Sequence, residues 1–257
     1  VGSEMCIRDS FYTVERQRRF EEKLSNIQLS HPCTTTAEGD KILTIRREGE
    51  TRYIMLRVTN DQTTQVGLAE DVTATTLERM RIEHERDYDI LTGLYNRQAF
   101  HRVSEELFRD PHQLGVAALL MMDLDNLKHI NDTYGHDWGD QYIRRTGQCL
   151  RDNTPAGTVC ARLSGDEFLV LFHGYRSRDT VREKIDRLTN AMQQSVALLP
   201  SGNALHISLS GGIAWYPDDG QDWETLKKYA DFAMYQVKHA DKGRVEEFDI
   251  GVYNREA

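Results

Sequence analysis

Cysteines are few in this 257-residue chain, and Cys6, Cys33, Cys149 and Cys160 form no CxxC and no metal-ligand spacing. Positive charge is also short. Thirty-two Lys and Arg stand against 41 Asp and Glu, a formal net charge of −9. That argues against nonspecific binding of nucleic acid, because phosphate contacts need a basic surface. A nucleotide stays within reach if a metal ion brings the positive charge. Long apolar runs are missing: the longest, Leu114 to Met122, is too short to span a bilayer. No signal peptide is evident, and no GxxxxGK(S/T) phosphate loop occurs, which removes the P-loop enzymes. Together these absences point to the cytoplasm, with membrane attachment through upstream sequence left open.

What is present is ordinary for a soluble globular protein, 39% hydrophobic and 28% charged, with length for one large or two modest domains. Residues 1–10 (VGSEMCIRDS) have no periodicity and read as a non-native leader, set aside from the fold. Residues 11–72 read as one module. Phe11 to Leu29 has loosely helical spacing, and 31–40 is a loop of small and polar residues. Three strands follow, through Ile42–Ile45, Tyr53–Val58 and Gln65–Ala69, an antiparallel meander with short turns. Their exit, Gly67 to Thr73, resembles the end of a PAS sensory domain whose earlier part is not recognisable; a simple packing meander is the alternative. Residues 73–88 form a polar helix with Leu77, Met80, His84 and Tyr88 along one face, suited to solvent or to pairing with another helix as a signalling linker.

Residues 89–250 form a second domain, followed by a tail at 251–257. A helix from Arg97 to about Arg109 precedes the apolar run, which reads as a central strand buried on both faces. It ends in Asp123-Leu124-Asp125. A helix starts near Asn126, Thr133 to Gly139 is a glycine-bearing loop, and a further helix starts at Asp140. Two apolar strands then flank Ser164-Gly165-Asp166-Glu167, a hairpin with a tight acidic turn. Helix over Arg178–Leu199, strand over Leu205–Trp215 with Gly211-Gly212 as a bulge or close approach, helix over Trp223–Ala240 and a last strand at Val245–Phe248 complete the domain. The fold class is α+β: a ferredoxin-like βαββαβ core with a mixed sheet and flanking helices, preceded by the small antiparallel meander and the linker helix.

An acidic hairpin tip alone is unremarkable surface. Two acidic strand ends are another matter. Carboxylates at the end of a central strand can hold a divalent cation, and Asp123 could join Asp166 and Glu167 if their strands are neighbours.

The motifs DILTGLYNR at 89–97, DLDNLKHINDTYGHDWGD at 123–140, RLSGDEF at 162–168 and SLSGGIA at 208–214, with the looser MYQVKHADKGR at 234–244, occur in order. Through them the domain from about Asp87 to Asp249 resembles the GGDEF family, the diguanylate cyclases. The resemblance implies the fold of nucleotidyl cyclases and polymerase palms. It also implies condensation of two GTP into cyclic di-GMP with release of two pyrophosphates, dependent on Mg²⁺ (or Mn²⁺) and on a homodimer, since each domain holds one GTP. It further implies metal binding by Asp123, the Leu124 carbonyl, Asp166 and Glu167, with Glu167 the candidate to activate the ribose hydroxyl. Lys128 would meet phosphate charge in the transition state, and Lys238 and Lys242 the outer phosphates. Asn131 and Asp140 would select guanine, whose N1–H and amino group suit a carboxylate that adenine would leave unpaired. Asp140 also reads as a helix N-cap, and His136 as either a substrate contact or a loop histidine.

Two departures from the pattern stand out. Ser164 replaces the first glycine of the family motif. Pro155 and Thr158 occupy the positions of the product-inhibition motif RxxD, so tight feedback binding there is not expected. The alternative function is a catalytically weak or inactive module that binds GTP or cyclic di-GMP. A receiver domain phosphorylated on Asp123 or Asp125 would need a parallel five-strand order that the acidic hairpin does not fit.

Overall fold

The computed structural model describes residues 5–9, 32–47, 49–61, 64–198, 202 and 204–256, in two compact units, 1–83 and 84–257. The helix expected over 11–29 lies outside the described residues.

The first unit is a five-stranded antiparallel sheet. It comprises β1 (Met5–Asp9), β2 (Cys33–Thr35), β3 (Lys41–Arg47), β4 (Glu50–Asp61) and β5 (Thr64–Asp71), in spatial order β1-β5-β4-β3-β2. The meander β3-β4-β5 is the one the sequence indicates. β1, within the stretch set aside as a leader, pairs with β5 from Met5 opposite Ala69 to Asp9 opposite Gln65. β2 lies in the stretch read as loop. All three of its residues are exposed, so it carries no hydrophobic period to betray it; only its backbone pairs, with β3. Inside this unit Arg57 donates from Nε and Nη2 to the buried Asp40 carboxylate, whose pKa its hydrogen bonds lower. Helix α1 (Thr73–Asp87) has no buried residue; Leu77 and Met80 are exposed.

The second unit holds α2 (Arg97–Phe108), α3 (Pro111–Leu114), β6 (Val116–Leu124), α4 (Leu127–Tyr134), α5 (His136–Asn153), β7 (Val159–Ser164) and β8 (Glu167–Tyr175). There follow α6 (Arg178–Gln194), β9 (Val196–Leu198), β10 (Ala204–His206), β11 (Leu209–Tyr216), α7 (Trp223–His239), β12 (Val245–Glu247) and α8 (Ile250–Glu256). Its main sheet runs β12-β11-β6-β8-β7, antiparallel except for the parallel pair β11–β12. The four strands β11-β6-β8-β7 are the ferredoxin-like core with flanking helices, and β12 makes the sheet mixed.

Strand alternation explains why β6 is apolar from Val116 to Met122. Ala118, Leu120, Met122 and Leu124 face a core shared with α4, α5 and α6. Ala117, Leu119 and Met121 face the opposite core, shared with α2 and α7. Gly212 of β11 is a close approach and not a bulge. Register runs unbroken through it, and a Cβ there would lie 2.1 Å from the Ala230 carbonyl oxygen and 2.3 Å from the Met234 nitrogen of α7.

Several boundaries differ from the sequence reading. The stretch 133–139 is not a loop: α4 runs to Tyr134, and only Gly135, at φ +89°, separates it from α5. Asp140 therefore sits inside α5 and is not its N-cap. Helix α6 stops at Gln194, and β9 follows in the sequence read as its end. The strand expected over Leu205–Trp215 is two, because the chain breaks at Ile207-Ser208. There the Ile207 N–H donates to the Ser195 carbonyl and the Ser208 N–H to the Tyr142 hydroxyl. The tail at 251–257 contributes to α8, whose Tyr253 ring packs on Tyr229 and Phe232.

Candidate active site

Two strand ends meet where the sequence reading required it. In register, Asp123 of β6 stands between Ser210 of β11 and Glu167 of β8, and the Leu124 N–H donates to the Asp166 carbonyl at 2.9 Å. Alternation puts Asp123 on the face of Leu119 and Met121, the face covered by α7. Lys238, in the last turn of α7, reaches it there, Nζ to Oδ2 at 2.5 Å. Asp123 is buried and Lys238 about one-third exposed.

Burial pushes the Asp123 pKa up, the Lys238 hydrogen bond opposes it, and the charges of Asp166 and Glu167 push it further up. Negative charge is thus in excess around one buried carboxylate, and a lysine offsets part of it. Asp231, on the same face of α7 as Lys238 at a seven-residue offset of about two turns, has its pKa raised as well, by burial and then by Glu167.

An open cleft of about 590 Å³ lies over this strand end, lined by Asp123, Leu124, Asp125, Lys128, Asp166, Lys238 and Lys242 among others. Asn126, also lining the cleft, sits in the left-handed region (φ 62°), which asparagine tolerates, and lets the chain turn from β6 straight into α4. The cleft thus gathers the expected Asp123, Leu124, Asp166, Lys128, Lys238 and Lys242. Glu167 stands opposite Asp123 in register but does not line the cleft, and neither do Asn131, His136 and Asp140. Asn131 packs its amide against Gly139, where a Cβ would fall 1.9 Å from Asn131 Oδ1. Asp140 lies 3.8 Å from Arg144, and His136 is exposed at the start of α5.

The acidic hairpin is held by contacts the sequence reading missed. Arg162 donates from Nε and Nη2 to the Gly165 carbonyl at 3.0 and 2.9 Å and from Nη1 to Asp89. The segment of Asp89 is itself pinned beside β7, with Tyr95 N–H donating to the Cys160 carbonyl and Arg162 N–H to the Tyr95 carbonyl. Arg97 lies 3.8 Å from Glu167. Ser164 is not in the positive-φ region, which Gly165 occupies at +44°, so the hairpin backbone accepts a side chain at 164. The Ser164 hydroxyl donates to Glu167 Oε2 at 3.1 Å. Pro155 and Thr158 share a turn before β7, where the Thr158 N–H donates to the Pro155 carbonyl.

The donor set fits a hard cation. Carboxylate and carbonyl oxygens are what Mg²⁺ prefers, and the excess negative charge favours one. Among the described residues no three Asp, Glu, His or Cys side chains gather into a ready-made cage. No helix among the described residues is long and apolar enough to cross a membrane.

Comparison with known proteins agrees with this geometry. The family model described as diguanylate cyclase, GGDEF domain matches residues 86–244. The chain is 35% identical over 162 residues to the cyclic di-GMP phosphodiesterase NbdA of Pseudomonas aeruginosa, covering 63% of this chain and 20% of that protein. It is 30% identical over 164 residues to the diguanylate cyclase DosC of Escherichia coli K12, covering 63% of this chain and 35% of that protein. Among solved structures, a truncated TpbB of P. aeruginosa comprising only the GGDEF domain aligns with TM-score 0.61 at 31% identity, over 66% of this chain and 98% of that chain. The chain spans less than half the length of these two curated relatives.

Proposed function

This chain belongs to the GGDEF domain family, and from that premise we propose that it is a diguanylate cyclase. It joins two GTP into cyclic di-GMP: two 3′-O–P bonds form, two α–β phosphoanhydride bonds break, and two pyrophosphates leave. The observation that carries the reading is the pairing of Asp123 with Glu167 across β6 and β8, under Lys238.

In this reading Asp123, Asp166, Glu167 and the Leu124 carbonyl hold Mg²⁺, with Mn²⁺ as an alternative. When bound, the ion supplies Lewis-acid charge at the α-phosphate and the leaving group. Glu167 takes the proton of the ribose 3′-hydroxyl, and the Ser164 hydroxyl and Arg97 hold its carboxylate for that role. Lys128 meets charge developing on the phosphate, and Lys242 binds the outer phosphates. Lys238 would hold the outer phosphates, released from Asp123 if a cation on that carboxylate took over its counter-charge. Asn131 and Asp140 read the guanine edge, with His136 beside them. Domain 89–250 works as a homodimer, since a symmetric product needs two nucleotides face to face. The module at 11–72, PAS-like in its exit, and the helix over 73–88 regulate that approach. The turn at Pro155 and Thr158 offers no arginine–carboxylate pair for tight feedback binding of product.

The test is incubation with GTP and Mg²⁺, with ATP in parallel, and chromatography of the nucleotides. Cyclic di-GMP from GTP and no cyclic dinucleotide from ATP is the expected result. GTP bound but never converted would assign a binding module instead.

A further inference from the structure

Asp125 is 4% exposed, and it lies two residues beyond Asp123, yet its oxygens are already taken. Its Oδ2 accepts the Ser208 hydroxyl at 2.7 Å and its Oδ1 the Ser210 hydroxyl at 2.8 Å. Both serines precede or begin β11, the strand beside β6, and the Asp125 N–H donates to the Ser208 carbonyl at 3.0 Å. A carboxylate whose two oxygens each accept a hydroxyl has little left to offer a cation. Its business lies elsewhere. Ser210, fully buried, accepts in turn the Gly243 N–H at 3.3 Å. Gly243 sits at φ +83°, and a Cβ there would come 3.3 Å from Ser208 Oγ, so the turn lies close against the serine pair. The residue before it is Lys242, which lines the cleft with Asp123 and Lys238.

We propose that Asp125 is a positioning residue. Through Ser210 it holds the Lys242–Gly243 turn against the end of β6 and so sets where Lys242 meets the triphosphate. The proposal rests on the nucleotide reading of the cleft. The chain of bonds has a fixed polarity: Gly243 N–H to Ser210 oxygen, Ser210 hydroxyl to Asp125. An acceptor-only carboxylate at its end orients the serine so that its lone pair faces the glycine. Asn at 125 replaces one of the two acceptor oxygens by an amide donor, so one of the two serine hydroxyls loses its acceptor. The network is buried, where a fully satisfied polar chain holds one geometry and a broken one is costly.

The experiment is a double-mutant cycle on the full chain, read by calorimetric binding of 3′-deoxy-GTP with Mg²⁺, which lacks the attacking hydroxyl. Ser210→Ala is expected to weaken binding about tenfold, as is Lys242→Ala. The double variant is expected to bind no worse than Lys242→Ala alone, to within about twofold, because positioning matters only while the lysine is present. Circular dichroism melting accompanies each variant. Asp125→Asn, which keeps the side-chain volume, runs through the same cycle and answers the question should Ser210→Ala fail to fold. Effects that multiply in the double variants, or wild-type affinity in both single variants of the network, overturn the proposal. A wild type that binds no 3′-deoxy-GTP overturns the nucleotide reading, and the proposal with it.

Discussion

Replacing Lys238 by methionine removes the cation from a buried carboxylate and keeps most of the apolar stem. Lys238 Nζ lies 2.5 Å from Asp123 Oδ2, with the Asp123 side chain 8% and the Lys238 side chain 33% exposed. Breaking a fully buried pair costs about 3–5 kcal/mol, whereas an exposed pair is worth about 0–1. Lys238 has one foot in solvent, so we take about 1–3 kcal/mol at pH 7 in metal-free buffer. For a unit of this size that lowers the melting temperature by about 3–9 °C. The pH dependence has a definite sign. Asp123 has a pKa raised above its ordinary value. Its contribution to stability is therefore full below the unfolded carboxylate pKa and is lost as pH rises through the folded one. Lys238→Met removes the group that holds this pKa down. The deficit of the variant should be largest near neutrality and shrink on acidification, as Asp123 takes up its proton. Differential scanning calorimetry from pH 7 to pH 4 measures it. Asp123→Asn combined with Lys238→Met should recover more than half of the loss, because the amide needs no counter-ion. A single variant that melts with the wild type, or a deficit unchanged at acid pH, would refute the reasoning.

Other expectations follow from single contacts. Gly212→Ala forces a Cβ against the α7 backbone at 2.1 Å and should cost about 3 kcal/mol or more, read by urea denaturation. Gly139→Ala must displace the Asn131 amide, which lies 1.9 Å from the new Cβ; GTP affinity by calorimetry should fall about tenfold, with melting little changed. Ser164→Ala removes the hydroxyl donated to Glu167 and should lower kcat about two- to tenfold with KM for GTP unchanged. Arg162→Lys loses the two-pronged grip on the Gly165 carbonyl, and limited proteolysis at the hairpin should quicken.

Much of this was legible in the sequence because it lay in local periodicity. The apolar run at 114–122 gave a strand buried on both faces, and the acidic residues at its end and at 166–167 gave two strand ends worth bringing together. Cross-strand register is a different kind of information: that Asp123 falls opposite Glu167 depends on hairpin and bulge geometry no short window contains. The break at Ile207-Ser208 was invisible for the same reason, since its partners Ser195 and Tyr142 are distant in sequence. The start of α5 was misplaced because a glycine cluster reads as loop, while only Gly135 has a positive φ there. Asp125 has no site role in the sequence reading. Its serine partners lie 83 and 85 residues downstream, and the only hint was their spacing in the SLSGG motif. Asp231 could have been found from its seven-residue offset to Lys238 on α7, which puts the two on one helical face.

The central claim is that Asp123 and Glu167 form one catalytic centre for GTP condensation. It is tested most directly by incubating wild type, Asp123→Asn and Glu167→Gln with GTP and Mg²⁺ and quantifying cyclic di-GMP by mass spectrometry. The account predicts product from the wild type and a loss of at least about a hundredfold in each variant, each still folded by circular dichroism. Equal product from wild type and either variant, or none from the wild type while GTP binds, would contradict it.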